Sequence, residues 1–198
     1  MNTKQKGNRF ERNCSRMLSL WWTNGKRDDA IWRSASSGAL TTVGKGRYLA
    51  HTGDFAATDG EAELLFKHVI IEAKRGYNRY SVQDLLDVSW KSSAKNPIWQ
   101  MYTKLGTTCH EQGKLGLLLW KRDRRELLAF VRGNPAFPGW GEALRVERYP
   151  LRLIGPDCVY LYGMAWEQFQ LNVSADRVKS LLTLPGASSA PTPLNPAP

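Results

Sequence analysis

Cysteine is scarce in this chain of 198 residues, and its three copies are far apart, at Cys14, Cys109 and Cys158. A disulfide framework, or a zinc or iron–sulfur site built from cysteines, needs paired or clustered spacings. This distribution argues against both kinds of site. We therefore expect reduced, partly buried thiols that pack as small hydrophobic side chains.

Long apolar runs are also missing from the sequence. A helix that crosses a bilayer needs about 20 consecutive apolar residues, and no stretch approaches that length. The opening residues, MNTKQKGNRF, are basic and polar with no apolar core behind them, which argues against a secretory signal. These absences predict a soluble protein that works in the cytoplasm and has no membrane partner.

Acidic residues are outnumbered by basic ones. The chain has 28 Lys and Arg against 18 Asp and Glu, a net charge of +10 and a pI of about 9.7. The excess is concentrated, because residues 1–48 hold ten basic and only three acidic residues. A basic surface attracts polyanions, and its cations release counterions from phosphates. General solubility or attraction to an anionic membrane would not require such concentration, so nucleic acid is the expected partner.

The first half of the chain alternates between helical and extended patterns. Apolar residues at three- and four-residue intervals predict a first helix, with the stripe Phe10, Cys14, Met17, Leu18 and Trp21 and an end at Thr23-Asn24-Gly25. Residues 30–38 predict a short strand that breaks into a Ser/Gly loop. Two more strands are predicted at His51–Ala57 and His68–Lys74, joined as an antiparallel hairpin by the turn-prone residues 58–60.

The second half begins with two predicted helices. Ser81-x-x-Asp84 resembles a capping box for a helix over residues 81–90, and Asn96-Pro97 begins another. Residues 115–120 and 126–131 flank the charged turn KRDRR and predict a hairpin. The aromatic-rich region 132–172 predicts short strands, and residues 183–198, with five of the ten prolines and no charge, predict a disordered tail.

This order of elements predicts an α/β fold in which helices flank a mixed central β-sheet. We expect one domain over residues 1–172, with a core at about 6–131 and an extension at 132–172. A short helical or irregular segment and the proline-rich tail would follow over residues 173–198.

Three charged residues are candidates for catalysis. Alternation places Glu72 and Lys74 on one face of their predicted strand, and Asp54 ends the strand predicted to pair with it. Phosphodiester hydrolysis needs a divalent cation on hard oxygen ligands and a further positive charge near the phosphate, which these residues could supply. The alternative is a solvated strand end with an incidental ion pair. Glu72-Ala73-Lys74 is the only acidic-x-Lys tripeptide in the chain and ends a β-branched run, which favours the catalytic interpretation.

Gly53-Asp54 followed by VIIEAK resembles the metal-binding core of the PD-(D/E)XK nuclease superfamily, with Gly53 in place of the usual proline. The run KGNRFER (residues 6–12) resembles the opening helix of the Holliday-junction-resolvase branch, and RSASSG (residues 33–38) is similar to its phosphate loop. The helix with Trp99-Gln100 and the hairpin at 115–131 match later elements of that branch. The resemblance covers about residues 6–131 and implies a restriction-endonuclease-like core.

The resemblance also implies roles for individual residues. Asp54 and Glu72 would bind Mg²⁺, or Mn²⁺ in its place, together with the carbonyl of Ala73, while Lys74 would orient the attacking water or stabilise charge. Glu11 would join the metal site through a water or help to hold a second ion, unless it is an exposed helix carboxylate. The expected DNA or phosphate contacts are Arg33, Ser36, Ser37, Lys45, Arg47, Lys6, Arg9 and Gln100. A plain turn at Ser36 and Ser37 and a solvated position for Gln100 are open alternatives.

The histidines and tryptophans suggest further sites. His51, His68 and His110 lack the spacing of a metal site or of a ββα-metal nuclease, and we expect them to be structural or incidental. The eight tryptophans include some beside basic residues, where they could stack on unpaired bases. The alternative, which we favour for any single tryptophan, is a place in the core or at a dimer interface.

Together these features predict a Mg²⁺-dependent, structure-selective DNA endonuclease. Within the resemblance, the leading function is a Holliday junction resolvase that acts as a homodimer in DNA recombination and repair. A restriction-like or recombination-associated nuclease on duplex DNA or DNA ends is one alternative. A DNA-binding protein with an inactive nuclease fold is another. The small size and lack of a helicase motif suggest a phage origin.

Overall fold

The computed structural model describes residues 3–34, 53–85, 96–133, 151–154 and 160–183. Its elements follow one another in the order α1 (Thr3–Trp22), β1 (Ile31–Arg33), β2 (Phe55–Ala57), α2 (Gly60–His68), β3 (Val69–Arg75), a 3₁₀ turn (Gln83–Leu85), α3 (Pro97–Gln112), β4 (Leu115–Lys121), β5 (Leu127–Gly133), β6 (Leu151–Ile154), β7 (Tyr160–Ala165), α4 (Trp166–Asn172) and α5 (Ala175–Leu182). The predicted α/β class is confirmed. No helix in these ranges is long and apolar enough to cross a membrane.

Five strands form a mixed sheet in the order β3-β4-β5-β7-β6. β3 and β4 are parallel, and the other neighbours are antiparallel. A parallel pair needs a long crossover, and α3 lies within the one that joins β3 to β4. β1 and β2 form a separate antiparallel pair.

The sheet separates two apolar clusters, because successive side chains of a strand point to opposite faces. Val69, Ile71 and Ala73 pack in one cluster with α1, α2, α4 and α5, on what we call the α1 face. Ile70 packs in the other cluster with α3, on the α3 face. The alternation predicted for this strand is therefore confirmed.

Helix α1 forms for the reason that its sequence suggested. Phe10, Cys14, Leu18 and Trp21 are buried on one stripe, and Met17 packs beside them. The chain then turns through Asn24 and Gly25, whose φ angles are 53° and 81°. Such left-handed residues are typical of helix ends, and the predicted end of α1 is confirmed.

Several later predictions are also confirmed. Asn96 caps α3 by accepting a hydrogen bond from the Ile98 N–H at 2.9 Å. The capping box is present, since Ser81 and Asp84 each accept from the other's backbone N–H, but only a 3₁₀ turn follows within the described residues. β4 and β5 form the predicted antiparallel hairpin.

The predicted hairpin between residues 51–57 and 68–74 is wrong. Residues 60–68 form helix α2, and β2 pairs with β1. The run EAELLFK has no β-branched residue and consists mostly of strong helix formers. Asp59 caps the helix by accepting from the N–H groups of Glu61 and Ala62. The turn-like Thr58-Asp59-Gly60 is thus a helix start.

The region after β5 was predicted only in part. β6 and β7 are strands, as expected, but residues 166–172 form helix α4, because Trp166 and Phe169 are buried three residues apart. The short helical segment expected after residue 172 is α5. The proline-rich tail lies outside the described residues.

Replacing Asp59 tests this corrected start of α2. Asp59→Ala removes the cap and is expected to lower the free energy of unfolding by about 1 kcal/mol. Asp59→Asn keeps a capping oxygen and loses mainly the exposed ion pair with Arg27, so its loss should be smaller. Urea unfolding of both variants measures the difference, and equal losses would contradict the capping role.

Candidate active site

Glu72 and Lys74 lie on β3, the strand at one edge of the five-stranded sheet. β4 occupies one side of β3. The two side chains alternate with Ala73, which is buried on the α1 face, so Glu72 and Lys74 leave the strand toward the α3 face. The side of β3 away from β4 is open to another segment.

Asp54 occupies that open side. Its N–H donates to the Ile71 carbonyl at 3.1 Å, and its Oδ2 accepts from the Ala73 N–H at 2.8 Å. The carboxylate therefore stands where a further strand would place a backbone carbonyl. Asp54 is only 5% exposed. The backbone of β3 thus fixes the position of Asp54 beside Glu72 and Lys74, without the hairpin that the sequence suggested.

Lys74 bridges the two carboxylates. Its Nζ is 2.5 Å from Glu72 Oε2 and 3.2 Å from Asp54 Oδ2. Burial and the nearby Asp54 raise the pKa of Glu72, although Lys74 opposes this effect. Burial acts to lower the pKa of Lys74, but the two carboxylates outweigh it and the pKa is raised. We call Asp54, Glu72 and Lys74 the Asp–Glu–Lys cluster.

A second polar group connects α1 to β1. Arg33 Nε donates to Glu11 Oε2 at 2.7 Å, and Arg33 Nη2 donates to Asn8 Oδ1 at 3.1 Å. The side chains of Glu11 and Arg33 are 14% and 21% exposed. The structure therefore joins two residues that were predicted for different roles, one at the metal and one at the phosphate.

Comparison with known proteins adds independent information. Residues 2–137 match the family model described as phage putative PDDEXK endonuclease. This match covers more than half of the chain. The chain belongs to this family. No curated protein and no solved structure matches it.

The family implies nuclease activity, and nucleases of the PD-(D/E)XK superfamily generally use divalent metal ions. The residues on the open side of β3 fit such an ion. Asp54 and Glu72 supply two carboxylates, and both contact the ammonium group of Lys74. A strand residue directs its N–H and C=O to the same side, so the Ala73 carbonyl faces the side where Asp54 lies. Two carboxylates and a carbonyl suit Mg²⁺, which keeps several waters.

This donor set is small. Within the described ranges, no group of three or more His, Cys, Asp and Glu side chains is arranged to hold a metal ion. Glu11, the third carboxylate that the resemblance implied, is paired with Arg33. Within the described part of this PDDEXK endonuclease, the candidate ligands at the cluster are therefore Asp54, Glu72 and the Ala73 carbonyl.

Two residues that position Asp54 were not identified as such from the sequence. The N–H of Ser34 donates to the Asp54 carbonyl at 2.9 Å, and its hydroxyl donates to the Gly53 carbonyl at 3.1 Å. Gly53 has a φ of 117°, and a Cβ there would lie 2.7 Å from the Ile71 carbonyl oxygen. Ser34 lies in the RSASSG run, but the predicted phosphate contacts in that run were Ser36 and Ser37. For Gly53, the close approach to β3 is not visible in the sequence.

The other predicted DNA contacts are spread over the fold. Lys6 and Arg9 are exposed on α1, and Gln100 is exposed on α3. Ser36, Ser37, Lys45 and Arg47 lie outside the described residues, so their predicted roles stay predictions.

The histidines and cysteines that the structure describes do not join the cluster. His68 precedes β3, at the far end of the strand from Lys74, and burial together with Lys67 and Lys114 lowers its pKa. His110 is exposed on α3. Cys14 and Cys109 are buried thiols outside any disulfide, and burial raises the pKa of the Cys14 thiol to about 12. The prediction of reduced thiols is confirmed for these two; His51 and Cys158 lie outside the described ranges.

Most tryptophans in the described ranges belong to the core, which agrees with the alternative that we favoured over base stacking. Trp21, Trp22, Trp120 and Trp166 are buried, and the indole N–H groups of the first two donate to the carbonyls of Val173 and Glu61. Trp32 differs from these four, because it is 49% exposed and directly precedes Arg33.

Proposed function

We propose that this protein is a Mg²⁺-dependent, structure-selective DNA endonuclease and that four-way Holliday junctions are its substrate. The observation that carries the hydrolytic part is the Asp–Glu–Lys cluster, in which the backbone of β3 fixes Asp54 and Lys74 contacts both carboxylates. Membership of the phage PDDEXK endonuclease family supports the same chemistry. We expect Mn²⁺ to replace Mg²⁺, since both take oxygen ligands.

Asp54, Glu72 and the Ala73 carbonyl would hold the metal ion in this proposal. When bound, the ion supplies charge neutralisation at the phosphate and lowers the pKa of a coordinated water. The backbone bonds of Asp54 fix one carboxylate before substrate arrives, so less reorganisation is needed during the reaction. Lys74 Nζ contacts both carboxylates in this structure. In the reaction it would orient the attacking water or stabilise developing negative charge.

The Glu11–Arg33 pair would serve the same site. Arg33 would contact a phosphate, and Glu11 would support the ion through a water. Asn8 and Glu11 hold the guanidinium of Arg33 by its Nε and Nη2, which restricts its orientation. An arginine positioned in this way suits a phosphate oxygen, because its planar donors match that geometry.

The preference for junctions is supported by the resemblance of the N-terminal helix and the RSASSG run to the resolvase branch. The concentration of positive charge in residues 1–48 suits a substrate with several duplex arms. Trp32, exposed beside Arg33, could stack on a base that is unpaired at the branch point. A homodimer would place two sites across a two-fold axis and cut two strands symmetrically.

A cleavage assay tests this function. Purified protein is incubated with a four-way junction and with a linear duplex of one arm's sequence, in Mg²⁺, Mn²⁺ or EDTA. We expect paired, symmetric nicks in the junction with either metal, little cutting of the duplex, and no cutting in EDTA. Light scattering should give the mass of a dimer.

Other outcomes would replace the proposal with its alternatives. Equal cutting of duplex and junction would indicate a restriction-like or end-processing nuclease. Tight binding of the junction without cutting in any metal would indicate a DNA-binding protein with an inactive nuclease fold. Cleavage that continues in EDTA would contradict the dependence on a metal.

A further inference from the structure

The turn between β4 and β5 is the most basic short segment among the described residues. It consists of Lys121–Arg125, with four cations around the single acid Asp123, and we call it the basic turn. Arg124 has a φ of 58°, in the left-handed region that few side chains adopt without a reason. The cationic side chains of the basic turn have different environments.

Asp123 anchors the basic turn to the chain that follows Lys74. Its Oδ1 accepts from Arg75 Nη2 at 2.9 Å, and its Oδ2 accepts from Asn78 Nδ2 at 3.1 Å. Its N–H donates to Asn78 Oδ1 at 2.9 Å. The only acid of the turn is therefore engaged in fixing it, and the turn is attached to the strand that carries the candidate active site.

Arg122 is also engaged in the structure. Its Nη1 donates to the Tyr80 carbonyl at 3.1 Å, and its guanidinium lies over the ring of Trp120, 5.6 Å from the centroid. Arg124 and Arg125 are exposed, and no ion pair joins either of them within the described part of the chain. A turn held by Asp123 thus presents two guanidinium groups without an ion pair among the described residues.

Two cavities flank these arginines, one of about 470 Å³ and one of about 400 Å³. Arg124, Arg125 and Glu126 line both. The first also contains Arg75 and Lys121, and the second contains Arg122. Each lining includes three or four cations, which suits a phosphate-bearing ligand; the first cavity also contains apolar residues such as Phe10 and Trp166.

The basic turn lies near the Asp–Glu–Lys cluster. Lys74 is opposite Trp120 and Arg75 is opposite Lys121 in the parallel ladder, so both strands end at the same side of the sheet. Adjacent strands are about 4.8 Å apart, which places the β5 end of the turn about 10 Å from β3. Asp54 lies on the side of β3 away from β4, so the distance from the cluster to the turn is somewhat larger than this. One DNA strand carries a phosphate about every 3.4 Å of helix axis, so the same strand could reach both places within a few nucleotides.

We propose that Arg124 and Arg125 bind backbone phosphates of the DNA a few nucleotides from the cleaved bond. This inference rests on the proposed function and adds a second contact region to the N-terminal one. The partner is the sugar–phosphate backbone, because the two arginines lie beside further cations and most protein–DNA hydrogen bonds go to phosphate and sugar. The two arginines would raise affinity and leave the chemical step unchanged.

The test compares full-length variants that lose the same charge at two places. The test variant is Arg124→Asn with Arg125→Gln, in which asparagine suits the positive φ. The control variant is Lys67→Ala with Lys104→Ala, two exposed positions on α2 and α3, with Lys67 just before the opposite end of β3. A third variant, Arg124→Lys with Arg125→Lys, keeps both charges. Circular dichroism establishes that each variant is folded.

Affinity for the junction is measured in EDTA over a range of salt concentrations. We expect the plot of log affinity against log salt to become shallower in the test variant by about 1.8 per bound protomer, or about 3.6 for a dimer, since each phosphate contact contributes about 0.9. The control and lysine variants should keep the wild-type slope. In Mg²⁺, the single-turnover rate at saturating protein should stay within about threefold of wild type, because neither arginine would touch the reacting atoms.

The possible failures are distinguishable. An unchanged slope in the test variant, or an equal change in the control variant, would overturn the phosphate contact even if the wild-type protein cuts DNA. A large fall in the single-turnover rate would overturn the division between binding and chemistry. Absence of wild-type cleavage would overturn the proposed function itself, which the same preparation reveals before any variant is compared.

Discussion

The Asp54→Asn protein is expected to cut DNA at least about 10³-fold more slowly than wild type, and Glu72→Gln should behave in the same way. Each change keeps the shape of the side chain and removes one of the two negative charges that would hold the cation. Single-turnover cleavage of a junction in Mg²⁺ measures the loss. The double variant should be little worse than either single one, since both carboxylates would act on one ion.

Stability distinguishes a catalytic role from a structural one. Burial and repulsion from Asp54 raise the pKa of Glu72, so the two carboxylates oppose each other in the folded protein. Asn at position 54 can still accept from the Ala73 N–H. We therefore expect Asp54→Asn to keep the wild-type midpoint of urea unfolding. Rapid cleavage by both single variants would show that the active site is elsewhere.

The Gly53→Ala protein is expected to lose both stability and activity. Its φ of 117° is unfavourable for alanine, and the new Cβ would lie 2.7 Å from the Ile71 carbonyl oxygen. Backbone strain of this kind costs about 1–3 kcal/mol. Relief of the clash must move residues 53 and 54 away from β3, which weakens the bond between the Asp54 N–H and Ile71. We expect at least a tenfold fall in the cleavage rate of the folded protein.

Gly25→Ala is the matched control for this prediction. Gly25 also has a positive φ, 81°, but no atom lies within 4 Å of the position that a Cβ would occupy. The control should therefore show the backbone strain in urea unfolding and keep the wild-type cleavage rate. If Gly53→Ala were as active as Gly25→Ala, the close approach of residue 53 to β3 would not matter for the site.

Local patterns were sufficient for much of the fold. The stripe of α1, the alternation in β3, the cap at Asn96 and the β4–β5 hairpin depend on residues near one another in sequence, and all are present in the structure. Strand pairing depends on distant segments. For that reason the partner of β2 was wrong, although the residues that form α2 carried a helical signal that the turn-like residues 58–60 obscured.

In the candidate site, too, the features that depend on distant segments were not predicted correctly. Asp54, Glu72 and Lys74 were predicted together and are in contact, but the expected hairpin was the wrong reason for it. The actual reason is a pair of backbone hydrogen bonds across the open side of β3. The ion pair between Glu11 and Arg33 was not predicted, because it joins a helix and a strand 22 positions apart.

The family match ends at residue 137, yet the central sheet and the apolar cluster around α1 include residues further along the chain. β7 pairs with β5, and the Trp21 indole N–H donates to the Val173 carbonyl at 2.8 Å. Val178 and Leu182 of α5 belong to the cluster that also contains α1. An expressed fragment limited to the matched region would present β5 as a bare strand edge, a template for aggregation. The residues beyond the matched region therefore cover the free edge of β5 and complete the apolar cluster around α1.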